Sequence, residues 1–229
     1  MLSRHSCQTW AVTALHTRLC GACLYLVCDM RSDRFLRAAL GGGVDIVQLR
    51  MKNGSDDEIL AAARRCARAC AAHGALFVLN DRPDLVADAG ADGVHVGQDD
   101  ASVAEARTIV GPQRLVGLST HSPQQVDAAN RAGVDYIGVG PVHETPTKPG
   151  RPAVGLDLVR YAATHATVPF FAIGGIDAGN LASVRAAGAR RVAVVRALTE
   201  AADPRHAARE LRARLPPDLG PAEVGVGAA

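Results

Sequence analysis

Asp81, in Asn80-Asp81-Arg82, and Asp100, in Gly97-Gln98-Asp99-Asp100, each follow a short apolar run. Paired carboxylates beside amide and hydroxyl groups are the oxygen donors a hard cation such as Mg2+ prefers, with coordination places left for water or phosphate. Arg50 and Lys52, in Gln48-Leu49-Arg50-Met51-Lys52, and Lys148, in Thr145-Pro146-Thr147-Lys148, add positive charge, and Ser119-Thr120-His121 adds hydroxyls. A cation ringed by basic side chains suits the departure of an anionic leaving group, and a diphosphate fits that description best. Gly174-Gly175, ahead of Asp177, can close backbone N–H groups on a phosphate, with Thr145 and Thr147 as hydroxyl donors nearby. Departure of such a group requires no protein nucleophile, and none is evident: no cysteine or serine has a plausible His–Asp relay.

Taken singly, these signals are weak. A lone aspartate after a strand is more often a turn or cap residue. Gly-Gly is a common turn, Lys148 ahead of Pro149-Gly150 reads equally as a solvated loop, and His95 at the end of an apolar run reads as a structural histidine. What gives them weight is their shared place, the loop after a strand.

The elements that must position them recur along the chain. Continuous apolar runs at 24–28, 45–49, 76–79, 93–96, 115–118, 136–139, 170–173 and 191–195 read as parallel strands buried on both faces. Between them, Ala-rich stretches at 33–40, 56–73, 83–89, 102–110, 123–132, 156–165, 178–187 and 204–215 read as helices. Ser122 before Pro123, and Ser55 before Asp56-Asp57-Glu58, mark helix starts, and Gly74, Gly90, Gly133 and Gly188 mark ends. Three echoes, Ala89-Gly-Ala-Asp-Gly-Val, Arg131-Ala-Gly-Val-Asp-Tyr-Ile and Ala187-Gly-Ala-Arg-Arg-Val, point to one repeated βα unit. The reading is a single α/β domain, a closed (β/α)8 TIM barrel over 23–215, with an N-terminal extension at 1–22 and a flexible tail at 216–229. An open doubly wound sheet is the weaker alternative, because the first strand runs into Asp29-Met-Arg-Ser and not into a Gly-rich fingerprint. In a barrel, the loops after the strands converge on one mouth.

Composition narrows the partners. The chain has 229 residues, a formal net charge of +2 and 3% aromatics, which lacks the basic stripe and stacking rings of a nucleic-acid binder. No run approaches the length of a membrane span. Small molecules are the expected partners, with no nucleic acid and no membrane; self-association into a homo-oligomer is left open. Cys20-Gly-Ala-Cys23 precedes the first strand and lacks a second ligand pair, and Cys66 and Cys70 sit in an Ala/Arg-rich helix. These read as reduced thiols of a cytoplasmic protein rather than as a zinc or redox site.

Together, Gln48-Leu-Arg-Met-Lys52, Asn80-Asp81-Arg82, Ala91-Asp-Gly-Val-His-Val-Gly-Gln-Asp-Asp100, Ser119-Thr-His121, Tyr136-Ile-Gly-Val-Gly-Pro141, Thr145-Pro-Thr-Lys148 and Ala172-Ile-Gly-Gly-Ile176 resemble the thiamine phosphate synthase family. The resemblance spans roughly residues 24–203. It implies a transferase of thiamine biosynthesis that joins a hydroxymethylpyrimidine diphosphate to a thiazole phosphate and releases diphosphate through a pyrimidine carbocation. It implies Mg2+ on Asp81 and Asp100, and the pyrimidine diphosphate on Gln48, Arg50, Lys52, Asn80, Ser119 and Lys148, with Lys148, Arg50 and Ser119 closest to the chemistry. The thiazole phosphate falls to Thr145, Thr147 and Gly175, together with the pair Val195-Arg196. That pair departs from the family's Val/Ile-Ser, as do Met51 from an acidic residue and Arg190-Arg191 from Asp-Gly. Competing readings are a thiazole tautomerase-like paralogue, a phosphosugar isomerase on the same scaffold, and a non-catalytic binder of thiamine intermediates. The retained Asp81 and Asp100 disfavour the last, and the retained Asn-Asp and Thr-x-Thr-Lys groups the first.

Overall fold

A computed structural model describes residues 14–145 and 152–217. Strands β1 (Leu24–Cys28), β2 (Ile46–Leu49), β3 (Leu76–Asn80), β4 (Gly93–Val96), β5 (Leu115–Thr120), β6 (Tyr136–Val139), β7 (Phe170–Ile173) and β8 (Val192–Val194) pair in sequence order. All pairs are parallel, and β8 closes on β1 through Leu24 opposite Val192. The (β/α)8 barrel read from the sequence is the observed fold. Helices α2 (Asp33–Gly41), α3 (Asp56–His73), α4 (Val86–Ala89), α5 (Val103–Val110), α6 (Pro123–Ala129), α7 (Gly155–His165) and α8 (Leu181–Ala186) alternate with the strands. A four-residue turn of helix, α9 (Arg196–Thr199), and α10 (Pro204–Ala213) complete the ring.

Local chemistry sets the boundaries. Ser55–Glu58 and Ser102–Glu105 form reciprocal capping boxes at the starts of α3 and α5, each stabilising its helix by about 1 kcal/mol. Helix α8 starts later than its apolar pattern suggests. The Asp177 carboxylate accepts from the N–H groups of Gly179 and Asn180 (2.8 and 3.2 Å), holding 178–180 in a turn. Asp177 therefore does not open the helix directly.

Three aspartates, two of them in the repeated motif, organise the end of the barrel at which the strands begin. Asp45 accepts from Cys23 and Leu24 N–H (2.8 and 2.9 Å), Asp92 from Phe77 N–H (2.8 Å) and Asp135 from Val116 N–H (2.6 Å). Each carboxylate precedes one strand and satisfies its neighbour's first donors. Where the last echo carries arginine instead, Arg191 donates to the Cys20 carbonyl (2.8 Å). Residues 14–21, read as part of the extension, form α1 (Ala14–Gly21). Its Leu19 joins the interior cluster, His16 meets Asp135 (2.8 Å), and Arg18 donates to the Ala75 carbonyl (2.7 Å), so α1 lies across the base.

The core has two parts. One lies between strands and helices, and includes Cys28, Cys66 and Cys70 as free, buried thiols. Burial pushes the Cys66 thiol up to about 11, in line with a packing residue and not a nucleophile. The second fills the barrel itself, where Phe171 meets Tyr25 and Tyr136 edge-on (centroids 5.3 and 5.8 Å apart). Cys7 lies outside the described residues.

Candidate active site

The loops after the strands surround a cavity of about 300 Å³. From β2, β3 and β5 come Gln48, Arg50, Asn80 and Ser119; from the loops after β6, β7 and β8 come Thr145, Gly175, Val195 and Arg196. Eight of the residues expected to bind the two substrates thus line one opening. Thr147 and Lys148 lie outside the described residues.

Three expected residues sit on the adjoining rim. Asp81 follows β3 with φ 61°, a left-handed conformation that aspartate tolerates better than most side chains. Its N–H is held by the His95 carbonyl (2.9 Å), and its carboxylate lies 3.5 Å from Lys52 Nζ. Asp100 stands beside Asp81, within hydrogen-bond reach. Burial, then this neighbouring carboxylate, pushes the Asp81 carboxyl above the ordinary carboxylate range, while Lys52 pulls it down. Asp100 is itself fixed, accepting from Gly97 N–H (2.9 Å). A Cβ at position 97 would fall 2.6 Å from that oxygen and would push the Asp100 carboxylate aside.

Could this rim hold a divalent ion? Two adjacent carboxylates and the Asn80 amide form an oxygen-rich donor set, and bringing like charges together is costly unless a cation lies between them. Among the described residues no group of three or more His, Cys, Asp or Glu side chains gathers for a metal, so water or substrate oxygens would have to complete the shell. The residues fit a hard cation shared with a phosphorylated ligand.

On the opposite side, Gly174 and Gly175 have φ of 111° and 62°. A Cβ on Gly174 would meet Pro141 Cα at 2.5 Å, and one on Gly175 would meet His143 Cβ at 2.8 Å. The glycines serve packing as well as any ligand. Arg196 opens α9 at the cavity edge, exposed. Among the described residues neither Arg50 nor Arg196 has a hydrogen-bond or ion-pair partner for its guanidinium, although Asp177 and Glu200 border the same cavity.

Sequence reasoning missed Tyr25 and Tyr136, which line the cavity floor, and read His95 only as structural. In strands buried on both faces, no alternation marks which residues point inward.

The family model described as thiamine monophosphate synthase matches residues 24–198 of the chain. The chain belongs to the thiamine monophosphate synthase family. Relatives named thiamine-phosphate synthase agree. The protein of Thermobifida fusca (strain YX) is 54% identical over 208 residues, covering 88% of this chain and 95% of its own. That of Mycobacterium marinum (strain ATCC BAA-535 / M) is 51% identical over 216 residues, covering 88% and 98%. A solved structure, thiamine phosphate pyrophosphorylase from Pyrococcus furiosus, superposes with a TM-score of 0.78 at 30% identity, covering 87% of this chain and 96% of that one. Against the family pattern, the departures now have places. Met51 packs on the core, and Arg191 lies at the base, away from the opening. Arg196 alone of the three is at the site.

Proposed function

We propose that this chain is a thiamine phosphate synthase, a transferase that couples 4-amino-5-hydroxymethyl-2-methylpyrimidine diphosphate to a thiazole phosphate. The C–O bond to diphosphate breaks and its electron pair leaves with the diphosphate. The thiazole nitrogen then supplies the pair that forms the new C–N bond. Family membership supports the reaction class. The observation that carries the residue assignment is the placement of Gln48, Arg50, Asn80 and Ser119 on one side of the cavity and Thr145, Gly175, Val195 and Arg196 on the other.

Arg50, Lys52 and Lys148 bind the diphosphate, whose charge grows as the bond breaks, so fixed cations favour the transition state over the ground state. Gln48, Asn80 and Ser119 orient the pyrimidine end. Asp81 and Asp100 would hold Mg2+, which when bound withdraws electrons from the leaving oxygens. Thr145, Thr147 and Gly175 receive the second phosphate. The buried free cysteines support a reducing, cytoplasmic setting, and no described helix is long and apolar enough to cross a membrane.

The deciding experiment supplies both purified substrates and measures thiamine phosphate with and without Mg2+. Product that forms only with both substrates and the ion is expected; aromatisation of a thiazole isomer without coupling would instead show a tautomerase.

Arg196 stands where the family has serine, and with no hydrogen-bond or ion-pair partner among the described residues its guanidinium is available to the thiazole phosphate. Substituting Arg196→Ser restores a short donor, so turnover should stay within about threefold while KM for the thiazole phosphate rises by up to about tenfold. A collapse of turnover would show that the site has been rebuilt around the arginine.

A further inference from the structure

A chain of hydrogen bonds crosses the barrel interior beneath the cavity. Gln48 Nε2 donates to Tyr25 OH (2.8 Å), and Tyr25 OH lies 3.0 Å from Tyr136 OH. Tyr136 OH lies 3.2 Å from His95 Nδ1, and His95 Nε2 lies 3.0 Å from Ser119 Oγ. The members come from β2, β1, β6, β4 and β5, so the path links two residues on separate strands that line the cavity. Gln48 is 4% exposed, His95 9%, and both tyrosines are buried.

In one direction every donor is used once: Gln48 gives an N–H to Tyr25, Tyr25 gives its hydrogen to Tyr136, and Tyr136 gives its hydrogen to His95 Nδ1. A ring whose Nδ1 accepts carries its proton on Nε2, and that N–H points at Ser119. Burial holds both phenols protonated, as donors must be. Position 117 shows how closely the junction is built: a Cβ there would stand 2.5 Å from Tyr136 OH and 2.6 Å from His95 Nδ1, so glycine leaves the room in which that bond forms.

We propose that His95 is a positioning residue, held in the Nε2–H form by the Gln48–Tyr25–Tyr136 chain so that it donates to Ser119 and turns the Ser119 hydroxyl hydrogen into the cavity. Ser119 is thereby set as a donor and not as an acceptor or a base. A fixed donor suits a group that becomes more anionic during reaction, and costs no reorientation when the charge appears. This last step rests on the proposed function, in which the departing diphosphate is the nearest such group. The proton arrangement itself does not.

The test separates the two. In full-length protein labelled with 15N-histidine, the His95 ring, assigned by its loss in His95→Gln, should carry hydrogen on Nε2 and none on Nδ1. In Tyr136→Phe, which removes the donor, that single form should give way to a mixture. In the coupling assay, His95→Leu should lower kcat about 10- to 100-fold, the range of one hydrogen bond to a charged group, with KM changed less than about threefold. His95→Gln, which keeps an amide donor, should recover most of the loss, and His95→Leu should cost nothing further in a Ser119→Ala background. A ring protonated on Nδ1 or on both nitrogens, a Tyr136→Phe spectrum identical to the parent, or full additivity with Ser119→Ala would each overturn the inference. Should coupling itself be absent, the proposed function falls and the ring spectra still decide where the proton sits.

Discussion

Asp100→Ala is expected to lower coupling by about a thousandfold or more while leaving the barrel's melting temperature within a few degrees of the parent. Both halves of the expectation come from its position. The side chain is exposed after β4, and among the described residues its carboxylate meets only Gly97 N–H and the neighbouring Asp81. Its loss removes no packing, and water can replace it on Gly97. For function the loss is large, because Asp81 alone is a single carboxylate already paired with Lys52 at 3.5 Å. One such group does not define a site for a hard divalent ion, which needs several oxygens in fixed places. The measurement is turnover across a Mg2+ titration beside a thermal melt. Normal turnover at low Mg2+ would remove ion ligation by Asp100 from the account, and a large fall in melting temperature would show a structural role instead.

Arg50→Ala is expected to reduce kcat/KM for the pyrimidine diphosphate by about 100- to 1000-fold, equivalent to roughly 3–4 kcal/mol of lost transition-state stabilisation. Arg50 leaves β2 with its N–H anchored on the Cys28 carbonyl (2.8 Å), which fixes where its side chain emerges. Among the described residues no carboxylate engages the guanidinium, so its charge and donors are available to a ligand. Arg50→Lys should recover only part of the loss: it restores charge, but an ammonium cannot present two parallel donors to neighbouring phosphate oxygens. Steady-state kinetics with each substrate varied in turn decides the matter. An effect confined to the thiazole phosphate would move Arg50 to the other half of the site.

Much of this arrangement is legible in the residues themselves. The strands were evident as unbroken apolar runs because both faces of each are covered, and the polar loops after them could be placed on one mouth without coordinates. Other features depend on contacts between distant parts of the chain. Helix α1 reads as a mixed segment, since what orders it is Leu19 entering the barrel and His16 meeting Asp135. Helix α9 has only four residues, too few for any period to show. Tyr25, His95 and Tyr136 looked like ordinary strand residues, because sequence places them on a strand but does not say which wall of the barrel they face. Arg196 is visible as a departure from the family, whereas its lack of a partner among the described residues required the structure.

The contact of Gly174 and Gly175 with Pro141 and His143 has a mechanical consequence. Val142 N–H also donates to the Ile173 carbonyl (2.8 Å) and His143 N–H to the Gly174 carbonyl (3.0 Å), so the turn after β7 and the start of the loop after β6 are held together. An outward movement of residues 141–143 would therefore have to carry 174–175 with it, which couples the two turns mechanically.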